Sequence, residues 1–439
     1  MAEMTLSRQL SRVAKLLVDA EGIGFAEAER RLRSMTLEIR VGACAMNPAG
    51  HAAVLTALAV GRRTFLGGVR VIGDLGQPLQ SSLSPRAWLE DAIADIGTTS
   101  FAEPAAMSIG IGTDVAPCAF ATWWDGWRAG VRQGEHAALG VSNNPLAGVA
   151  AGAHAVGAAF NGLRCGLMHP ADIDLWPTFE AAPDFSEVFL PSACWLMGLG
   201  NLGQAFLWSL AALPYADGAE RSLVLQDFDR VSEENWGTSI LVPDDRFGEL
   251  KTKLAEGWAE VRGFKVRRLD RALQADLKLA NDEPRLALSG FDKVAPRRLL
   301  AGVGFEAIID VGLGRTAFDF DRYRVNVFDQ QRRIDAHFAG MTDAAPKEIA
   351  PDLPAYQQLQ SEIGRCGAAE IGNASVAVPY VSAVAGATAI ARAIAITSGQ
   401  ACAPGEVQRV SAQARRPTGN PSRVETRGIG HAGNPKEYI

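Results

Sequence analysis

This sequence has no closely paired cysteines, few lysines and no strong excess of one charge. Its 439 residues include six cysteines, and none stands in a C-x-x-C pair, which excludes zinc-finger spacing and gives no disulfide framework. Only eight of the 43 basic residues are lysines, so a lysine inside a motif is informative. The net charge of −6 gives no basic field that would favour nucleic acid or an anionic membrane as a partner.

Signals for secretion or membrane insertion are also scarce. The N-terminus lacks the charged and then apolar segments of a signal peptide, and we expect a reducing, cytoplasmic location. One long uncharged stretch, residues 373–391, approaches the length of a membrane span. It consists largely of Ala, Gly and Ser, contains a proline and is followed by Arg392. We therefore predict a buried helix that covers a sheet, and no membrane.

Two parts of the chain repeat one pattern of strand, turn, helix and strand. The first begins near Val41 and the second near Cys194, and they align when Gly50 is placed on Gly203. Further matches follow in the same order, at 115–117 with 294–296 and at 145–155 with 379–389. We predict an α/β fold of two Rossmann-like domains with mainly parallel sheets, related by internal duplication.

The two copies differ in chemistry. The second has Gly198, Gly200, Gly203 and Asp292 where the first has Ala45, Asn47, Gly50 and Thr113, so two glycines and the aspartate are replaced in the first. We predict a degenerate domain with an N-terminal helix over residues 1–180 and a linker near 179–191. An active domain over 190–396 would follow, with a crossover loop at 329–372 and a loosely packed tail at 397–439.

The most informative motif is the glycine turn, residues 198–203, which reads G-x-G-x-x-G between an apolar strand and a helix. Its candidate ligand-binding residues are Gly198, Gly200, Asn201 and Gly203. Glycines allow backbone N–H groups to approach phosphate closely, and the helix N-terminus favours negative charge. The motif alone fits NAD, FAD or ATP equally well, and a turn without a ligand is the alternative.

Acidic residues follow the next strand, where Asp227 is placed to bond a ribose hydroxyl. A second acid, Asp229, is not needed in a dinucleotide site but is useful where Mg²⁺ must be held beside a triphosphate. Asp292 follows another short apolar strand and so reaches the same edge of a parallel sheet, where it can ligate Mg²⁺. A solvated acidic turn and a helix N-cap at Asp292 are the alternatives.

Adenylation of a carboxylate requires cations and polar donors on the triphosphate, because negative charge builds up on the leaving pyrophosphate. Asn235 and Lys251 can supply them. Lys251 lies three residues after Gly248 and opens a predicted helix over 251–261, so a solvent-exposed lysine at a helix start is the alternative.

Together these residues resemble the ThiF/MoeB and ubiquitin-activating enzyme superfamily. The family pattern is GxGxxG, then D-x-D-x-V, an Asn eight residues after the first Asp, G-x-x-K, and a later Asp. The resemblance implies that Asp227 holds the ATP ribose, that Asn235 and Lys251 hold the phosphates, and that Asp229 or Asp292 binds Mg²⁺. It also implies a pseudo-dimer, meaning an inactive adenylation half fused to an active one.

This chain departs from the family in three respects. The arginine that usually follows the asparagine is absent, and we expect Arg246 or an arginine of the first half to replace it. Zinc-binding cysteine pairs are absent. The chain also has no room for the large cysteine domain or the ubiquitin-fold domain of the eukaryotic enzymes.

By resemblance, the expected function is ATP-dependent adenylation of the C-terminal glycine of a ubiquitin-like protein. Thioester formation and transfer to a conjugating-type enzyme would follow, and antiviral defence is a setting that the resemblance suggests. Cys366 is the candidate thioester cysteine, because it lies in the predicted crossover loop and Arg365 would favour its thiolate. A structural cysteine is the alternative, and Cys194 is predicted to be buried.

Three other functions fit parts of the pattern. They are adenylation of a sulfur-carrier protein or peptide without a thioester, an NAD(P)-dependent oxidoreductase, and a pseudoenzyme scaffold. Lys251, Asn235 and Asp292 argue against the oxidoreductase, which has no triphosphate to bind.

Overall fold

Short aliphatic runs alternate with amphipathic or alanine-rich segments along the chain, and they form the strands and helices of two α/β domains. The computed structural model describes residues 11–101, 104–112, 115–134, 142–176, 181–343, 352–413, 419–426 and 428–433. The helices are α1 (Ser11–Glu21), α2 (Phe25–Ser34), α3 (Pro48–Gly61), α4 (Leu89–Ile96), α5 (Pro145–Cys165), α6 (Asn201–Ala211), α7 (Glu233–Trp236), α8 (Lys251–Glu260), α9 (Val294–Leu299), α10 (Ile334–His337), α11 (Pro354–Asn373) and α12 (Pro379–Thr397).

The strands follow the same numbering in chain order. They are β1 (Thr36–Val41), β2 (Gly68–Gly73), β3 (Met107–Ile111), β4 (Phe120–Asp125), β5 (Arg128–Gln133), β6 (Ala171–Asp174), β7 (Phe189–Pro191), β8 (Ala193–Met197), β9 (Ser222–Gln226), β10 (Lys265–Leu269), β11 (Leu286–Ser289), β12 (Ala307–Leu313), β13 (Arg322–Phe328), β14 (Ala401–Cys402), β15 (Gly405–Arg409), β16 (Ser422–Arg423) and β17 (His431–Gly433).

The two main sheets share one topology. The first has the order β2-β1-β3-β4-β5-β6, and the second has the order β10-β9-β8-β11-β12-β13-β15. In each, the strands up to β4 or β12 run parallel and the last two are antiparallel. Apart from the extra edge strand β10, the strands correspond one to one. The predicted fold class of two duplicated Rossmann-like domains is therefore confirmed.

Four apolar helices, α3, α5, α6 and α12, pack against one another between the two halves. Glycines allow their close crossings: a Cβ on Gly152 would lie 2.3 Å from the Ala53 carbonyl oxygen, and one on Gly386 would lie 2.7 Å from that of Ala205. Gly152 and Gly386 occupy matching positions in the repeat, so the sequence similarity marks a shared packing requirement.

The uncharged stretch predicted as a buried helix forms α12, which packs against β12 and β13. Two described helices, α5 and α12, are long and apolar enough to cross a membrane, but their most apolar windows are 83% and 94% buried in the molecule. Both are therefore packed as core helices.

The single N-terminal helix predicted from the sequence is two helices, α1 and α2, in the structure. Residues 5–10 lie outside the described residues, and α1 and α2 are separated at Gly22, which has a φ of 71°. From α1, the buried Lys15 ammonium donates to the Tyr356 hydroxyl at 2.7 Å, and that hydroxyl donates to Asp19 at 2.8 Å. These bonds attach the start of α11, in the second half, to the first half.

The predicted linker and tail both contain ordered strands. Of the linker, Phe189–Pro191 forms β7, which pairs with β17. The predicted loose tail instead supplies β15, an edge strand of the second sheet, because Glu406 pairs with Arg392 where both are fully buried. Arg392 also donates to the carbonyl of Leu175 at 3.0 Å. Polar composition misled the prediction for this part of the tail, since Glu406 and Arg409 of β15 are both paired within the fold.

Because two histidines are buried, we predict that the free energy of unfolding depends on pH. His51 and His154 lie on α3 and α5, and burial lowers the pKa of each to about 4. Between pH 6.5 and about 4 the unfolded chain binds more protons than the folded one, so stability falls as the pH falls. The loss for each histidine at pH 4.5 is about 2.5 kcal/mol.

We expect His154→Asn to remove one such contribution, because the asparagine amide can still donate to the Val410 carbonyl, which the histidine Nδ1 contacts at 3.0 Å. The free energy of unfolding in urea, measured at pH 7 and pH 4.5, should change less in this variant than in the wild type. The exposed His431→Asn is the control. Equal pH dependence in the wild type and His154→Asn would contradict the expectation.

Candidate functional site

The glycine turn joins β8 to α6 and depends on two of its glycines. Gly198 has a φ of 80°, and its N–H donates to the carbonyl of Gln226 on β9 at 3.0 Å. A Cβ on Gly203 would lie 2.0 Å from the carbonyl oxygen of Gly198. The left-handed residue and the close approach together start the helix directly beneath the strand.

Gly200, the remaining glycine of the turn, borders an open space. A Cβ on Gly200 would meet no described atom within 4 Å, and its φ is −74°. Beside it, both polar atoms of the Asn201 amide are buried and have no hydrogen-bond partner among the described residues. An open cradle, a helix N-terminus and an unsatisfied amide all suit an anionic ligand such as a phosphate.

The first half shows what happens when this cradle is filled. Asn47 occupies the position of Gly200, and its side chain accepts the N–H of Gly50 at 2.7 Å, so it caps α3. A Cβ on Gly50 would lie 2.2 Å from the Ala45 carbonyl oxygen, which reproduces the approach of Gly203 to Gly198. The backbone turn is therefore retained, but its helix start is satisfied internally. Thr113, the counterpart of Asp292, lies outside the described residues.

Asp227 connects the glycine turn to the acidic segment that follows β9. Its carboxylate accepts the N–H of Leu199 at 2.6 Å and that of Asp229 at 2.8 Å. Burial raises the pKa of Asp227, and the nearby charge of Lys251 and the two backbone donors oppose that rise. Because a carboxylate has further lone pairs, it can still accept from a ribose hydroxyl. Its visible role is to fix the turn.

Lys251 lies beside the acidic segment that follows β9. Its ammonium nitrogen lies 2.8 Å from Asp229 Oδ2, and its backbone N–H donates to the carbonyl of Asp229 at 3.0 Å. An antiparallel bridge between Arg230 and Leu250 holds the two segments together. The lysine that opens α8 is thus oriented towards the acidic segment, and is not the freely solvated helix-start residue of the alternative interpretation.

Asn235 lies at the third position of the short helix α7. Its side-chain oxygen accepts the N–H of Ser232 at 2.9 Å, which closes a capping box. The amide NH₂ makes no hydrogen bond to a described residue and remains a donor for an anion. The prediction of a phosphate contact missed the capping role.

Asp292 is exposed and follows β11, next to the glycine turn. Gly290 donates to the carbonyl of Met197 at 2.9 Å, which places the end of β11 beside the end of β8. The alternative that Asp292 caps α9 is wrong: the N-cap position is Lys293, and Asp343 accepts the N–H of Val294 at 2.8 Å. The Asp292 carboxylate is therefore not used as a cap.

Asp229 and Asp292, the residues predicted to bind Mg²⁺, suit a metal site that a bound polyphosphate would complete. No group of three or more His, Cys, Asp or Glu with metal-binding geometry occurs among the described residues. Asp229 and Asp292 both lie at the carboxyl edge of the second sheet. Mg²⁺ is commonly bound by one or two carboxylates together with substrate phosphates and water. These two residues would hold the ion only when a polyphosphate is present.

Arg246, one expected replacement for the missing arginine, is exposed and pairs with Glu249 at 2.7 Å, and its role stays a prediction. From the first half, Arg12 on α1 lies 3.3 Å from Glu234, the residue before Asn235. The buried Arg63 donates to the carbonyls of Ser239 and Val242 at 3.1 and 2.6 Å. No sequence feature near Arg12 or Arg63 predicts these contacts.

Cys366 lies within α11, so the predicted crossover loop is helical there. Gly364, with a φ of 81°, kinks this helix two residues earlier, and the run 361–366 is exposed. In contrast Cys194 is buried, as predicted, and burial raises its pKa to about 12; Cys402 is also buried and has a raised pKa of about 11. Of the described cysteines, Cys165 and Cys366 are the exposed ones.

Comparison with known proteins identifies relatives of the whole chain. A model of the BilD N-terminal domain matches residues 36–171, and a model of the BilD C-terminal domain matches residues 190–400. The bacterial E1-like protein BilD of Collimonas sp. (strain OK412) is 33% identical over 405 residues, which cover 87% of each chain.

Solved structures give a more distant similarity. E. coli MccB with MccA-N7isoASN has a TM-score of 0.32 and 11% identity, covering 50% of this chain and 65% of MccB. E. coli MccB with ATP has a TM-score of 0.30 and 12% identity, covering 51% and 64%. The chain thus spans slightly under two thirds of these MccB chains.

Proposed function

We propose a specific activity for this chain, which belongs to the BilD family of bacterial E1-like proteins: it uses ATP to adenylate the C-terminal carboxyl group of a ubiquitin-like protein. In that reaction a carboxylate oxygen attacks the α-phosphorus of ATP, the bond to the bridging oxygen breaks, and pyrophosphate leaves. The products are an acyl adenylate and pyrophosphate.

One observation carries the proposal: Lys251 lies 2.8 Å from Asp229, and Asp229 shares the Asp227 carboxylate with the glycine turn. A triphosphate resting on that turn would bring its negative charge to the lysine. The ammonium would stabilise the charge that develops on pyrophosphate, which is how positioned cations accelerate phosphoryl and nucleotidyl transfer. An NAD-dependent oxidoreductase needs no such cation.

The remaining groups support the same chemistry. The free amides of Asn201 and Asn235 would donate to phosphate oxygens, and Asp227 would accept from the ribose. Mg²⁺ bound by Asp229 and Asp292 would neutralise phosphate charge. The first half, with Asn47 in its cradle, would serve as the inactive partner of a pseudo-dimer, and through Arg12 and Arg63 it supports the active half.

The proposal continues with a thioester on Cys366. The thiolate would attack the carbonyl carbon of the acyl adenylate and release AMP, while the thiol proton passes to solvent. Cys366 sits on the exposed run 361–366, from which the acyl group could pass to a conjugating-type enzyme. Adenylation of a sulfur-carrier protein without a thioester is the second candidate, and it requires no cysteine.

Replacing Cys366 separates these two candidates. We expect Cys366→Ala to abolish the reductant-sensitive adduct between the chain and its ubiquitin-like protein on non-reducing gels. ATP–pyrophosphate exchange should change less than about twofold, because the thiol acts after adenylation. Cys165→Ala, at another exposed cysteine, should form the adduct normally. An adduct that persists in Cys366→Ala would contradict the thioester assignment and leave adenylation unaffected.

A further inference from the structure

The largest exposed aromatic surface near the site lies on the turn between β12 and β13. Phe318 is 77% exposed, the highest value among the large hydrophobic residues described. β12 runs parallel to β11 and β8, so its end lies at the same edge of the sheet as the glycine turn. We call residues 314–321 the Phe318 turn.

The Phe318 turn is rigid. Asp319 accepts the backbone N–H groups of Arg315 and Thr316 at 3.0 and 2.7 Å, and a Cβ on Gly314 would lie 1.7 Å from the carbonyl oxygen of Asp319. On either side of Phe318, Ala317 and Phe320 are buried. The phenyl ring is thus held outwards by a preorganised backbone, which reduces the entropy that a partner must overcome to bind it.

Three arginines lie on or next to the Phe318 turn. Arg315 and Arg322 are exposed and form no ion pair with a described residue, and Arg409 donates to the Phe318 carbonyl at 3.3 Å. The nearby carboxylates are used within the fold: Asp319 accepts from the turn, and Asp321 pairs with Arg409 at 2.6 Å. An aromatic residue flanked by arginines is the composition typical of binding hot spots.

We propose that the Phe318 turn binds the folded body of the ubiquitin-like protein, at an apolar spot bordered by carboxylates. This inference rests on the proposed function and adds the surface on which the partner docks. In the sheet, β12 is separated from β8 by β11 alone, which sets a lateral spacing of about 10 Å. Met197 and Asp310 are both level with Ser289, and the Phe318 turn begins four residues beyond Asp310, about 13 Å further along the strand. About five extended residues of a C-terminal tail cover the resulting distance of about 16 Å.

The test uses two acyl donors with the full chain. One is the ubiquitin-like protein that supports pyrophosphate exchange by the wild type, and the other is a peptide of its last six residues. We expect Phe318→Ala to raise the KM for the whole protein about 10- to 30-fold, as hot-spot truncations do. The kcat, the KM for ATP and the KM for the peptide should stay within about twofold, since the ring does not contact the reacting atoms.

Val261→Ala is the matched control, because Val261 is 62% exposed but follows α8 and precedes β10, at the opposite edge of the sheet. An Arg322→Glu variant should raise the KM for the whole protein as well, and more at low salt. An unchanged KM in Phe318→Ala, or an equal loss with the peptide, would overturn the docking proposal. Absence of exchange with every ubiquitin-like protein would instead overturn the proposed function.

Discussion

Replacing Lys251 with alanine is expected to lower the rate of ATP–pyrophosphate exchange about 10²- to 10³-fold, the loss typical of removing one preorganised group that stabilises transition-state charge. The ammonium group is 2.8 Å from Asp229, next to the cradle where the phosphates would lie. Its removal leaves the negative charge on the leaving pyrophosphate without that partner.

The loss should be catalytic and not structural. The Asp229 side chain is half-exposed, and a pair of this kind contributes about 1 kcal/mol or less to the free energy of unfolding. Lys253→Ala is the matched control, since Lys253 lies two residues later, is exposed and contacts Glu249 at 3.6 Å. Exchange by Lys251→Ala within threefold of the wild type would contradict the role given to this lysine.

The second large effect concerns Gly200. We expect Gly200→Leu to weaken Mg-ATP binding at least about 100-fold, because the side chain would enter the cradle, where no described atom lies within 4 Å of the added Cβ. With a φ of −74° the backbone accepts a side chain, so the free energy of unfolding should fall by only about 1 kcal/mol. Calorimetric titration and urea denaturation measure the two quantities.

Two further substitutions test this interpretation of Gly200. Gly203→Ala should destabilise the apo-protein by about 3 kcal/mol or more, since its Cβ would lie 2.0 Å from the Gly198 carbonyl oxygen. Gly257→Leu, on the exposed side of α8, should affect neither property much. If Gly200→Leu bound Mg-ATP as tightly as the wild type, the phosphates could not occupy this cradle.

The parts of the site that could be predicted from sequence are those built by local geometry. A strand, a glycine turn and a helix specify where Gly198, Gly200 and Gly203 must lie, and parallel strands bring Asp227 and Asp292 to the same edge. The uncharged stretch that became α12 was predictable because burial on all sides requires an apolar surface all around the helix.

The rest depends on contacts between distant segments. Nothing near Arg63 in the sequence indicates that it would donate to carbonyls some 176 residues later, at Ser239. Composition alone likewise predicts a loose tail after residue 397. The buried pair of Arg392 and Glu406 instead stabilises part of this polar segment as the sheet strand β15. Cys366 was placed in a loop because the related family has its crossover loop in this stretch, but the residue lies in α11, which contains a kink at Gly364.

Some roles were correct in position but incomplete in chemistry. Asp227 and Asn235 were chosen for a nucleotide, yet both also hold backbone N–H groups, at Leu199 and Ser232 respectively. A motif does not show that a side chain has two roles, because a carboxylate or an amide oxygen can accept more than one hydrogen bond. It implies that substituting either residue would affect stability as well as binding, and neither makes a clean probe of catalysis.

Titration calorimetry of the wild-type chain with Mg-ATP, and separately with NAD, tests the central claim most directly. The account predicts saturable binding of one Mg-ATP per chain and no measurable heat from NAD, because, of the two described turns, the one in the second half has the open cradle. Binding of NAD in place of Mg-ATP, or of two nucleotides per chain, would contradict it.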